Sequence, residues 1–122
     1  MRMKEMVART GVHERLLRYY EQQGLLTPGR LPSGYRVYAE GDVEVVRRIR
    51  CLLAAGLPTA VIAQVLPCLT DDESAVGLAP ACPELVARLR TERARMTEEI
   101  KVLRSSRATL DTILLAGNSS AG

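Results

Sequence analysis

The sequence predicts a mostly α-helical chain, a winged helix-turn-helix head followed by a long dimerisation helix. Three observations carry that prediction. Two short stretches of helical apolar spacing meet at Thr10-Gly11, close to the amino terminus. A turn-rich stretch with period-two alternation follows at 25–38. A third stretch, about 84–115, contains neither Gly nor Pro and repeats apolar residues at coiled-coil spacing. The expected organisation is a winged-helix domain at 1–69, a linker at 70–83, a coiled-coil dimerisation helix at 84–116 and a flexible tail at 117–122.

Each element has a local reason. Met3, Met6 and Val7 recur at i, i+3, i+4 and predict a helix over 3–9, which Thr10-Gly11 breaks. Leu16, Leu17 and Tyr20 form the expected inner face of a second helix, about 13–23, with Gly24 as its C′ residue. Pro28-Gly29 and Pro32-Ser33-Gly34 are turn chemistry, and the alternation around Tyr35, Arg36, Val37 and Tyr38 predicts a short hairpin, or wing. Val43, Val46, Ile49 and Leu53 predict a third helix over 42–55 with Asp42 as N-cap. Val61, Ile62, Val65 and Leu66 predict a fourth over 60–66, capped by Thr59 and stopped by Pro67.

The final helix would be about 48 Å long, too long to pack on a 70-residue head. Its apolar residues Leu85, Leu89, Met96, Ile100, Leu103, Leu110 and Leu114 make one narrow stripe. A lone helix would leave that stripe in water, so a partner helix is expected, most simply from a second copy, giving a homodimer.

Composition sets the class. Hydrophobic residues at 47% and charged residues at 25% are the balance of a folded soluble chain. No apolar run approaches a membrane span, the amino terminus lacks a signal-peptide core, and three cysteines do not make a secreted disulfide scaffold. A cytoplasmic protein with no membrane partner is expected. Residues 1–70 hold ten Lys and Arg against six acids, a net of +4, whereas 71–122 net −1. All four tyrosines (Tyr19, Tyr20, Tyr35 and Tyr38) lie in the basic half, which points to a polyanion partner there. One His, no Gly-rich phosphate loop and no nucleophile–base grouping argue against an enzyme.

The strings Leu17-Arg18-Tyr19-Tyr20-Glu21, Gly24-Leu25-Leu26 and Ser33-Gly34-Tyr35-Arg36-Val37-Tyr38, at this separation, resemble the MerR family of bacterial transcription regulators. The resemblance covers 3–69 closely and the long helix loosely. It implies that the helix bearing Arg15, Arg18 and Tyr19 enters the major groove of double-stranded DNA. It also implies that the wing, through Tyr35, Arg36 and Tyr38, grips phosphates alongside. An antiparallel coiled coil would join two heads so that the dimer reads a palindrome. Bending and untwisting an over-long promoter spacer would then let RNA polymerase engage. The residues fit such a role on their own chemistry. Arg15 and Arg18 share one helix face, Arg30 and Arg36 flank the wing tip, and His13 sits where it can reach phosphate. Arg47, Arg48 and Arg50 offer either a backbone contact or a solvated face. The alternative from another class is an architectural or excisionase-type DNA-bending protein.

By the same resemblance, the chain belongs with short members that lack a large effector domain. Metal-sensing relatives pair a Cys near the start of the long helix with two Cys beyond its far end. Here Cys82 takes the first place, but 116–122 holds no such ligand. Cys68 and Cys82 bracket an acidic stretch, and three readings of them stay open: ordinary thiols, a disulfide, or a metal site. In the last, two thiolates hold a soft ion together with Asp71, Asp72, Glu73 or a second subunit. Cys51, inside an apolar helical run, is expected in the core.

Overall fold

The computed structural model describes residues 1–74 and 76–121, with side chains through residue 118. It comprises two units, Met1–Cys82 and the segment from Pro83 onward. The first unit opens with α1 (Met3–Thr10) and α2 (Glu14–Gln22), followed by a two-stranded wing, β1 (Gly29–Arg30) and β2 (Arg36–Val37). Next come α3 (Glu40–Ala54), α4 (Thr59–Val65), a 3-10 turn (Leu66–Cys68) and a second antiparallel hairpin, β3 (Leu69–Asp71) and β4 (Leu78–Pro80). The second unit is α5 (Pro83–Ala121).

One core serves the first unit. Met6 from α1, Leu17 and Tyr20 from α2, Val46 and Ile49 from α3, and Ile62 from α4 are all nearly inaccessible. Gly11 ends α1 in the left-handed region (φ 70°), which turns the chain into α2 at no steric cost. Gly24 (φ 74°) does the same after α2, where the Leu25 amide reaches back to the Tyr20 carbonyl at 2.9 Å. The amino-terminal residue is sewn to the wing. Its nitrogen donates to the Tyr38 carbonyl and its carbonyl accepts from the Tyr38 amide, both at 2.6 Å.

Several sequence expectations are corrected. Leu16 is 40% exposed, so the inner face of α2 is the Leu17–Tyr20 pair alone. On α3 the buried row is Val46, Ile49 and Leu52, while Leu53 faces out. Asp42 lies one turn inside α3 and caps from there, its carboxylate accepting the Ala39 amide at 2.8 Å. Thr59 is the first residue of α4, not its cap. Cys51 is half-exposed rather than core, its sulfur 3.9 Å from the Val76 carbonyl.

The stretch expected as an irregular linker contains the β3–β4 hairpin, in register Leu69↔Pro80, Thr70↔Ala79 and Asp71↔Leu78. A disulfide between Cys68 and Cys82, Cα–Cα 5.7 Å, closes its base, and the Ala81 amide donates to the Cys68 carbonyl beside it. Asp71 accepts from Arg47 at 2.9 Å and from Arg48 at 3.2 Å, which holds the hairpin on α3. Those two arginines, two of the three weighed for a DNA-backbone contact, are thus ion-paired within the head.

Along α5, Ile100, Leu103, Leu110 and Leu114 are 47–69% exposed. Val102, Ile113 and Leu115 are also exposed, so the open apolar surface is broader than one narrow stripe. Ion pairs along the helix join Arg88 with Glu92, Arg95 with Glu92 and Glu99, and Lys101 with Glu98. The helix continues through Ala121 instead of fraying at 117. One Gly near a helix end costs about 1 kcal/mol, too little to stop it. Gly122, the last residue of the expected tail, lies outside the described residues.

Candidate nucleic-acid interface

α2 presents a polar face opposite Leu17 and Tyr20. A shallow groove of about 450 Å³ runs along that face, lined by His13, Glu14, Arg15, Arg18, Tyr19 and Gln22. His13 is the N-cap. Its Nδ1 accepts the Arg15 amide at 3.1 Å, which satisfies one of the donors a helix start leaves open and so offsets the absence of a Ser or Asp there. Arg15 is exposed and has no ion-pair partner among the described residues. Arg18 pairs with Glu14 one turn earlier while its side chain stays about half exposed, and Tyr19 is 41% exposed. The face therefore offers two guanidiniums, a phenol and an amide to a duplex groove.

The wing is attached to this helix by one carboxylate. Glu21 accepts from Arg36 Nε at 2.6 Å and from Arg30 Nη2 at 3.1 Å, and Arg30 also donates to the Gly34 carbonyl. The Arg36 hydrogen bond holds the Glu21 carboxyl below its ordinary value, against an opposing effect of burial. The same bond raises Arg36. A depressed carboxylate stabilises the fold above the ordinary carboxylate range, and that share is lost as pH falls through the depressed value. Arg30 and Arg36 thus brace the wing on α2, a role beyond the phosphate contact expected of them.

The tyrosines divide by burial. Tyr35, at the wing, is 62% exposed, and the Arg2 guanidinium lies over its ring at 4.8 Å. Tyr38 is 2% exposed, with its hydroxyl 3.8 Å from the Met3 sulfur. It cannot grip a phosphate, and it leaves the candidate set. The strand is only two residues long and the chain turns inward to start α3, which carries Tyr38 into the core beside α1. Glu21 carries no local signal in the sequence, because its ion pairs span 9 and 15 residues and no local period reports them.

A family model, the MerR HTH family regulatory protein, matches residues 1–68. The chain belongs to the MerR family. This MerR-family chain is 32% identical over 111 residues to heavy metal-dependent transcription regulator 2 of Rhizobium meliloti (strain 1021), spanning 85% of this chain and 72% of that one. It is 39% identical over 62 residues to the HTH-type transcriptional repressor CarH of Myxococcus xanthus, where the match covers 50% of this chain but only 21% of CarH. Among solved structures, the lead(II) complex of the transcription regulator PbrR691 from Ralstonia metallidurans CH34 superposes with a TM-score of 0.74 at 26% identity, over 90% of this chain and 82% of that one. HiNmlR, a MerR-family regulator lacking the sensor domain and bound to promoter DNA, shares the fold at TM-score 0.56 and 20% identity, over 93% and 86%. Transcription regulation through a DNA-binding head is the family's function. Among the described residues, no helix of this MerR-family chain is long and apolar enough to cross a membrane.

Proposed function

We propose that the chain acts as a homodimer that reads a two-fold symmetric promoter site and distorts the DNA there for RNA polymerase. The observation that carries this reading is the exposed face of α2, with Arg15, Arg18 and Tyr19 open to a groove-sized partner. The exposed α5 residues supply a surface for the second copy, and two linked heads call for two half-sites. A footprint on promoter DNA selected for binding from a genomic library is expected to protect one palindrome lying between promoter elements. Scattered or phased protection would favour an architectural DNA-bending role. Arg18→Ala is expected to weaken binding to that site by about 1–3 kcal/mol with the dimer intact, read by fluorescence anisotropy.

The signal acts, on this reading, through Cys68 and Cys82. Both sulfurs are bonded to each other, and among the described residues no three His, Cys, Asp or Glu side chains group to hold a metal. The residues in this form do not fit a resident ion, and a thiol–disulfide response is the better account. A dithiol reductant would deliver two electrons, giving two thiols here and a disulfide on itself. That would release a loop of 14-residue separation whose closure contributes about 3 kcal/mol. It would loosen the hairpin whose Asp71 holds Arg47 and Arg48. Alkylation followed by mass measurement and metal analysis tests this. The oxidised protein should take one label, at Cys51, and the reduced protein three. A co-purifying soft ion, with Cys68 and Cys82 alkylated only after chelation while Cys51 is labelled throughout, would replace the disulfide reading with a metal one.

A further inference from the structure

We propose that Arg2 and Lys4, with the ring of Tyr35, form a phosphate clamp for the DNA backbone beside the reading face of α2; this rests on the DNA-binding reading above. A cleft of about 490 Å³ opens between the start of α1, α2 and the wing. Its charged lining is Arg2, Lys4, Arg18 and Arg36 against a single acid, Glu14. Two of those cations are already answered, Arg18 by Glu14 and Arg36 by Glu21. Arg2 and Lys4 have no ion-pair partner among the described residues, so they carry the cleft's uncompensated charge.

Arg2 is also held in place. The residue before it exchanges two backbone hydrogen bonds with Tyr38, and its own guanidinium lies on the Tyr35 ring at 4.8 Å. Stacking uses the flat face of the guanidinium and leaves its N–H edge for an anion. Tyr35 thus has a positioning role: the ring sets where Arg2 stands. The cleft joins the reading groove, because Glu14 and Arg18 line both. A duplex whose major groove accepts α2 would lay its flanking strand across this cleft. The ligand is therefore a phosphodiester of double-stranded DNA, bound without regard to sequence.

Each phosphate contact adds about 0.9 to the slope of log affinity against log salt. The double variant Arg2→Ala/Lys4→Ala is expected to flatten that slope by about 1.8 per engaged head on an arbitrary duplex. Both residues bracket an exposed helix start, so the thermal melt should be unchanged. Tyr35→Phe, which keeps the ring, should match the wild type, while Tyr35→Leu should weaken binding about twofold to threefold. Inorganic phosphate at matched ionic strength should not compete, since the clamp reads a strand fixed by α2 and not a lone anion; competition at millimolar levels would overturn the assignment to DNA. An unchanged slope in the double variant, where Arg15→Ala on the α2 face does weaken binding, would overturn the clamp and leave the α2 reading intact. Absence of binding by the wild type to any duplex at low salt would overturn both.

Discussion

Tyr38→Ala should destabilise the head by about 3–5 kcal/mol, the usual cost of deleting a buried aromatic side chain. Domains of this size hold only about 5–15 kcal/mol in total. The loss is a large share of that total, and it is expected as a clearly earlier transition in a urea or thermal melt. Tyr35→Ala, three residues earlier, should change stability by less than about 0.5 kcal/mol, since its ring is 62% exposed. The pair separates two roles that the motif merges: one tyrosine supports the core, and one faces the solvent. If both variants melted alike, the burial assigned to Tyr38 would be wrong. Burial also raises the phenols of Tyr38 and Tyr20 above their ordinary value, despite the lowering effect of Arg36 and Arg50 respectively. An acid whose folded pKa is raised favours the unfolded chain once pH passes the unfolded value, about 10. The head should accordingly lose stability as pH climbs from there, and Tyr38→Phe should blunt that loss.

The helices were legible in the sequence because each reports itself within a few residues. Met3, Met6 and Val7 mark α1 by spacing, and Gly11 and Gly24 mark the helix ends by backbone conformation. What spacing could not decide was which of two adjacent residues points inward. Leu16 and Leu17 both lie one turn from Tyr20, at i+4 and i+3, and only the packing of α2 on the core selects Leu17. The same ambiguity exchanged Leu52 for Leu53 on α3. Features built by distant residues left no local signal. Glu21 meets Arg36 across 15 residues, and Asp71 meets Arg47 across 24. The β3–β4 hairpin was hidden by its own composition. Three-residue strands around Asp71-Asp72-Glu73 and Gly77 read as loop, and only the Cys68–Cys82 bond and the strand register reveal the order there. For the candidate interface, the exposed residues of α2 were readable from the motif. Arg2 and Lys4 were not, because their place beside the wing depends on the backbone pairing of Met1 with Tyr38.

The α5 surface gives the second large effect. Ile100 and Leu103 are 47% and 69% exposed in the single chain, three residues apart on one helix face. Replacing both with Glu would place four carboxylates in a two-fold interface. Leaving such charges unpaired in an apolar contact costs several kcal/mol in total, and about 4 kcal/mol already raises a dissociation constant roughly a thousandfold. The helix itself should survive, because Glu is a good helix former and Arg104 and Arg107 stand four residues beyond the two sites. Ile100→Glu/Leu103→Glu should therefore sediment as a folded monomer and bind half-sites weakly, since it loses the second head and not the contacts of the first. A double variant that still sedimented as a dimer would show that the copies meet elsewhere. The wild-type apolar residues Leu110, Ile113, Leu114 and Leu115 would then need another partner to cover them. Retained full-site affinity in a proven monomer would separate DNA reading from dimerisation and remove the geometric reason for a palindrome.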